Sequence, residues 1–311
     1  MVSYPPSVFV PFFYCGQQGE NTVLILRLFL AVVAMGSPGT NGGGGNIVTF
    51  RYKDGLDGAD TYGWEQFGST IEAPSTGDAA GYSISLDDTG LRMVVGFPMA
   101  KNLAGSTYAG KAAVYFMAPG MAESFYSGTE ETSDGWALLG EEIYGESEGG
   151  MDGSSVAMST DGSIVVIGGR GHSAANNATG EEMNSVGHCR VYQFGSAGWI
   201  LLHTITGQAP DERLGTSVAV SRDGNVVSCG GVSGVNGDSN ISGVVQLWNR
   251  QTLRESTVWP RVESGADTEG ATFGESMALS GDGEYLLVGA PTWTTTIGGS
   301  AAGAMQMFRN Q

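Results

Sequence analysis

Short apolar runs alternate with clusters of Gly, Ser, Asn and Asp along the chain, and the runs are too brief and too β-rich for helices. One alternation recurs in a fixed frame: Gly-x-Ser, an apolar stretch, a turn ending in Gly, a second apolar stretch and a final Gly. The frames span 81–96, 153–168, 215–230 and 274–289, with Ser83, Ser155, Ser217 and Ser276 at the third place. Turn glycines Gly90, Gly162, Gly224 and Gly283 each follow nine residues after the first glycine. A repeat of this size signals an array of supersecondary units. The two arms are predicted strands, as at 155–159 and 164–167, because Asp-Gly between apolar runs is a strong hairpin signal. Asp161-Gly162, Asp223-Gly224 and Asp282-Gly283 carry it, and Thr89-Gly90 stands in their place in the earliest clear frame.

Downstream of each frame a glycine precedes an apolar and an aromatic residue: Val114 and Tyr115, Val191 and Tyr192, Leu247 and Trp248, Met307 and Phe308. This predicts a third strand. A fourth follows, headed by tryptophan, at 64–71, 136–143, 199–205 and more loosely 259–262. Four antiparallel strands repeated in this way predict an all-β chain folded as a single β-propeller domain, an arrangement that leaves only short strand edges. The Gly-x-Ser arm suits the crowded innermost position, where glycine permits close backbone approach. The recurring serines read as structural. A nucleophile elbow needs a second glycine at the fifth place, and here that place holds Ser85, Ala157, Ala219 or Ala278.

A degraded unit precedes the clear ones. Residues 30–35 followed by Gly36 match a second arm, whereas Asn21 and Leu30 take glycine places and Val23 takes that of the serine. The expectation is five four-stranded blades, at about 22–71, 81–143, 153–205, 215–262 and 274–308, with the N-terminal segment 7–14 supplying the outer strand of the last and closing the ring. A part of a larger propeller is the alternative.

The last unit, Phe273-Gly-Glu-Ser-Met-Ala-Leu-Ser and then Leu-Leu-Val-Gly-Ala290-Pro291, resembles the FG-GAP repeat of integrin α-chain propellers. Looser forms such as Val95-Gly-Phe-Pro98 extend the resemblance over about 22–311. It implies an innermost Gly-x-Ser strand and a ligand face formed by the loops between strands two and three and between strands four and one. FG-GAP hairpins often carry a calcium loop rich in carboxylates. The turns here offer one Asp each, too few oxygens for Ca²⁺, so no metal is expected there.

Charge sharpens the functional expectation. With 14 basic against 32 acidic residues the net charge is −18, which disfavours nucleic acid and suits a soluble monomer with a basic partner. The loops between strand four and the next unit hold Glu72 and Asp78; Glu146, Glu148 and Asp152; Asp211 and Glu212; and Glu263, Asp267 and Glu269. Of these, Glu146, Glu148, Asp152, Asp211, Glu212, Asp267 and Glu269 are the candidate partner-binding residues, crowding the channel mouth on one face; solvated loop tips are the plainer reading.

Cys15, Cys189 and Cys229 form no metal or redox motif. Cys189 and Cys229 fit the places of small core residues, and a bridge across adjacent blades is the alternative. His172, His188 and His203 match no metal spacing, so neither a metal nor a cofactor is expected. The apolar run 23–35 reads as buried strands in preference to a signal peptide, and no membrane span is expected. The sequons at Asn177 and Asn240 fall in predicted loops. These features suggest a non-catalytic binding or adhesion module, extracellular or at a cell surface, that recognises a protein or glycan. The alternatives are a degenerate copy of a larger repeat protein and an enzyme with a central-channel site.

Overall fold

The computed structural model describes residues 13–17, 20–24, 32–54, 62–117, 135–175, 180–232, 243–258, 272–293 and 303–309. These form an all-β protein of several antiparallel sheets. Five of the sheets are meanders, one for each expected unit. The second sheet orders Ser83–Leu86, Arg92–Phe97, Lys111–Met117 and Trp136–Leu138. The third orders Asp152–Met158, Ile164–Gly169, His188–Gly195 and Gly198–Thr206. The fourth orders Ser217–Val220, Val226–Gly231, Val244–Asn249 and Arg254–Val258. The first sheet is built on Val32–Ser37, Asn46–Asp54 and Tyr62–Gln66, and the fifth on Ser276–Leu279, Tyr285–Ala290 and Ala304–Arg309.

The hairpin chemistry is the same in three frames. Asp161 Oδ1 accepts the Ser163 amide at 3.0 Å and the Ser159 hydroxyl at 2.6 Å, while Ser159 Oγ accepts the Ile164 amide at 3.0 Å. Ser221 with Asp223 and Ser280 with Asp282 repeat it. Gly162 takes the left-handed φ of 67° that closes the turn. Each Asp is therefore a turn residue.

The core is not one mass. Among the described residues it consists of four clusters, each shared by two neighbouring sheets. Val32 and Ile47 meet Met93 and Val95; Val94 and Val114 meet Val165 and Ile167; Val166 and Val191 meet Val227 and Trp248; Val245 and Leu247 meet Leu286 and Val288. Strand alternation produces this, since successive side chains point to opposite flanks of a sheet.

The frame serines join the sheets. Ser83 Oγ donates to the carbonyl of Gly153 at 2.8 Å, Ser155 Oγ to Gly215 at 2.8 Å and Ser217 Oγ to Gly274 at 2.5 Å. Each bond runs to the first glycine of the following frame. At the final glycines the approach leaves no room for a side chain: a Cβ on Gly96 would stand 2.0 Å from the Gly153 oxygen, and one on Gly168 would stand 2.3 Å from that of Gly215.

Several expectations need correction. The fourth strands of the first two sheets are broken into two pieces: Tyr62–Gln66 with Ile71–Glu72, and Trp136–Leu138 with Ile143–Tyr144. That of the fourth sheet is Arg254–Val258, earlier than expected, and 259–262 lies outside the described residues. Phe13 and Tyr14 do not extend the last sheet. They pair with Leu24 and Val23 in a hairpin of Phe13–Gln17 with Glu20–Leu24, which is a shorter-range pairing, and residues 7–12 lie outside the described residues. A single helical turn, Thr40–Gly43, interrupts the all-strand pattern, and its Asn41 and Gly42 depart from helical angles. Among the described residues no helix is long and apolar enough to cross a membrane.

Candidate functional site

Antiparallel alternation places the loops between strands two and three and between strands four and one at one end of every sheet. The polar centre of that end belongs to the third sheet. Asp152 opens its first strand, and His188 and Arg190 stand near the start of its third. All three are buried, and Asp152 is 0% exposed. In the repeat register Asp152 occupies the place of Ala80, Leu214 and Phe273, and each of the four is bridged to the glycine that precedes a third strand.

The geometry explains how charge is tolerated there. Asp152 Oδ1 accepts from His188 Nε2 at 2.9 Å and from Arg190 Nη2. Arg190 Nη2 also donates to the Tyr144 carbonyl at 2.8 Å, and Nη1 reaches Glu146 at 3.4 Å. Burial pushes the Asp152 carboxyl up, but the hydrogen bond and charge of His188 and those of Arg190 outweigh it and hold the group below its ordinary value. Burial works against the Arg190 charge, yet Asp152 keeps its guanidinium firmly protonated. Among the described residues, buried Asp152 Oδ2 and Arg190 Nε meet no hydrogen-bond partner. Asp152 Oδ2 fits against Gly145, Gly150 and Gly169, where any Cβ would stand only 2.8–3.2 Å away.

Above this group lies a second imidazole. The His172 ring stacks on His188 at 4.1 Å between centroids, and its Nδ1 is 3.2 Å from the Ser147 hydroxyl. Burial first, then the adjacent His188 charge, lower its pKa to about 4, so His172 is neutral at physiological pH, and the tautomer of its ring sets which partner donates in the bond to Ser147. A Ser–His contact of this kind belongs to nucleophilic catalysis only when a third group orients the base. Here the carboxylate orients the other imidazole. The arrangement is a polar bolt that fixes the loop bearing Glu146, Ser147 and Glu148.

The sequence-predicted carboxylates separate into distinct environments. Glu146, Glu148 and Asp211 are exposed at the loop end, with Glu148 accepting from the Thr107 hydroxyl at 2.6 Å. Asp211 has a left-handed φ of 58°, where the equivalent residues of the two preceding loops are Gly77 and Gly149. Asp152 and Glu212 are buried and contribute nothing to an exposed acidic face, which corrects that expectation. Glu212 faces inward because its Oε2 caps the amides of Gln208 and Ala209 at 2.7 and 3.0 Å and its Oε1 accepts from Gln246; burial outweighs these bonds and raises its pKa. Asp78, at the same loop position, is also buried and raised by burial, with Lys111 opposing. Asp267 and Glu269, like Glu263, lie outside the described residues.

Sequence reasoning overlooked His188 and Arg190. The available signal was their register, since Asn46, Lys111, Val244 and Ala304 align with His188, and Val48, Ala113, Gln246 and Gln306 with Arg190. Only this unit places His, Arg and Asp together at those positions. At the opposite end a groove of about 460 Å³ is lined by Gln193, Leu202, Asn225, Trp248, Arg250 and Leu253. Arg250 is held there by Asn225 Oδ1 at 2.9 and 3.1 Å. Among the described residues no group of three or more His, Cys, Asp or Glu is placed to hold a metal ion. No protein-family model matches the chain, and no curated protein matches it.

Proposed function

We propose that the chain is a non-catalytic recognition module of the FG-GAP propeller type, with five blades, that binds a protein or glycan bearing basic groups through the loop end of its sheets. The observation that carries this reading is the contrast between exposed Glu146 and Glu148 and the bolt beneath them, with Asp211 exposed on the next loop, which Glu212 holds from within. Carboxylates on loops anchored this way lose little freedom on binding, and that is how recognition loops on a fixed scaffold gain affinity. Five meander sheets, the second to the fifth joined by repeated serine-to-glycine bonds, support the propeller. The Cys189–Cys229 disulfide between the third and fourth sheets supports an oxidising, extracellular or cell-surface setting.

The test is calorimetric titration of the purified chain with a lysine- and arginine-rich peptide and with an arrayed glycan set, at low and at moderate salt. Binding should weaken about tenfold or more when Glu146, Glu148 and Asp211 are replaced together by Gln, Gln and Asn, and should fall with salt. Binding that ignores both changes, or silence toward every probe, overturns the reading.

A further inference from the structure

The breaks in the fourth strands of the first and second sheets each receive a tryptophan from the sheet that follows. Trp136 of the second sheet lies over Gly68 of the first, and its Nε1 donates to the Thr49 hydroxyl at 2.9 Å and the Phe67 carbonyl at 3.2 Å. Trp199 of the third sheet lies over Gly140 of the second and donates to the Leu139 carbonyl at 2.8 Å. The fit is close: a Cβ on Gly68 or Gly140 would stand only 2.8 or 3.0 Å from the indole. Two neighbouring junctions are thus closed by the same side chain in the same slot.

At the junction of the third and fourth sheets both partners change. Met117 and Phe194 stand opposite Trp136 and Trp199, and their amides donate to the carbonyls of Leu91 and Ser163; the Arg250 amide makes the same bond to Asn225. Asn249 pairs with Arg254, so Leu253 stands opposite Arg250, in the tryptophan's place. It is 75% exposed and does not enter the slot. The place of Gly68 and Gly140 is taken by His203, whose ring stacks instead on Trp248 at 4.6 Å. The fourth strand of the third sheet is unbroken here, with Leu202 as the extra residue of a bulge. The groove of about 460 Å³ between Leu202, Trp248, Arg250 and Leu253 is therefore the indole slot of the other two junctions, left open. Trp259, the next tryptophan of the chain, lies outside the described residues, beyond the far end of Arg254–Val258.

The open slot also differs in charge. Arg250 replaces Phe194, whose ring meets that of Trp199 at 5.0 Å between centroids. One edge of its guanidinium is held by Asn225 Oδ1, which accepts from Nε at 3.1 Å and from Nη2 at 2.9 Å, and Asp223 Oδ2 fixes that amide by accepting from Nδ2 at 2.6 Å. Among the described residues no carboxylate pairs with Arg250. A fixed guanidinium without a counter-charge, set beside a slot shaped for a planar ring, is the chemistry that recognises a ring bearing a carboxylate. We propose that this groove binds a small aryl carboxylate, with the ring between Leu202 and Leu253 over Trp248 and the carboxylate on the free edge of Arg250. Its volume falls within the range of about 300–1,000 Å³ usual for small-ligand clefts. The site lies at the end of the sheets opposite the exposed carboxylates and takes a ligand of opposite charge, so it stands independently of the loop-end reading.

The experiment is calorimetric titration of the full chain with N-acetyltryptophan and with N-acetyltryptophan amide, which has the same ring without the charge. The acid should bind at least tenfold more tightly than the amide. Arg250→Gln should remove that preference, leaving the two probes within about twofold of each other. Leu253→Trp supplies the slot with the indole found at the other junctions and should block both probes. Each variant is unfolded in urea alongside the unaltered chain, and the Arg250→Gln arm decides the outcome if Leu253→Trp does not fold. Equal binding of acid and amide, no heat from either, or a tenfold preference that survives Arg250→Gln overturns the proposal, as does binding that survives a folded Leu253→Trp. A peptide ending in tryptophan that binds where N-acetyltryptophan does not would assign the groove to a partner chain and overturn it equally.

Discussion

Between the second and third sheets, the loop end of the junction is filled by charge, with Asp152 held by His188 and Arg190. Between the third and fourth, the same register holds Leu214 and Val244, and the Cys189–Cys229 bond lies in the same cluster. The backbone is alike in both: Gly110 bridges Asp152 as Gly187 bridges Leu214. The repeat therefore does not require charge at this position. An ionic group that the fold can replace with hydrocarbon contributes little net stability, because desolvation offsets its attraction. What it adds is a fixed orientation for the loop above it, and that loop carries Glu146 and Glu148.

The comparison breaks most sharply at Asp152. Asp152→Ala takes from buried Arg190 its buried counter-charge, leaving only the exposed Glu146 at 3.4 Å, and should cost about 3 kcal/mol in urea unfolding. Transplanting the neighbouring junction, with Asp152→Leu, His188→Val and Arg190→Gln together, should recover most of that loss. A triple variant as unstable as the single one would show that the charges support the fold itself. Replacing Cys189 and Cys229 by Ala should cost about 2–4 kcal/mol, measured the same way, since the bond closes a sequence separation of 40 residues. Ser155→Ala removes the donor to Gly215 and should cost about 1–2 kcal/mol; no change would mean the serine bond is idle.

Acidification probes the same junction. His172 titrates at about 4 in the fold against 6.5 ordinarily, so the unfolded chain takes its proton first as pH falls. Stability from the neutral ring is complete above about pH 6.5 and is lost on acidification toward about pH 4. The Asp152 contribution acts in the same direction but only at lower pH, because its carboxyl is held below the ordinary carboxylate range. His172→Gln should flatten the urea midpoint between pH 6.5 and 4 and leave the steeper acid loss in place.

Much of this architecture was legible because it is periodic. Gly-x-Ser, Asp-Gly and the apolar arms recur in register, and the hairpins at 81–96, 153–168, 215–230 and 274–289 form as those signals require. The broken fourth strands were less legible, since Trp64 and Ile71 read as one run while the backbone departs between them. The two-residue strands Ala174–Ala175 and Glu182–Met183, which pair inside a long loop, carry no apolar pattern to announce them. The site was harder still. Loop position alone cannot separate Glu146, which meets water, from Asp152 and Glu212, which turn inward to amides and cations supplied by distant strands. Burial of a carboxylate depends on long-range partners, and only departures from the repeat register hint at them.

Sheet-to-sheet contact at the frame glycines is the claim on which the rest depends, and Gly168 tests it most directly. Its φ is ordinary, so Gly168→Ala brings no backbone strain, only a methyl group aimed at the Gly215 carbonyl of the next sheet. Gly195→Ala is the matched control, with its nearest neighbour the end of the Ile200 side chain at 3.3 Å. Urea unfolding of the two variants should show a loss of about 3 kcal/mol for Gly168→Ala and about 0.5 kcal/mol or less for Gly195→Ala. Equal stability of the two would mean that the sheets do not approach one another at these glycines, and the account would fail.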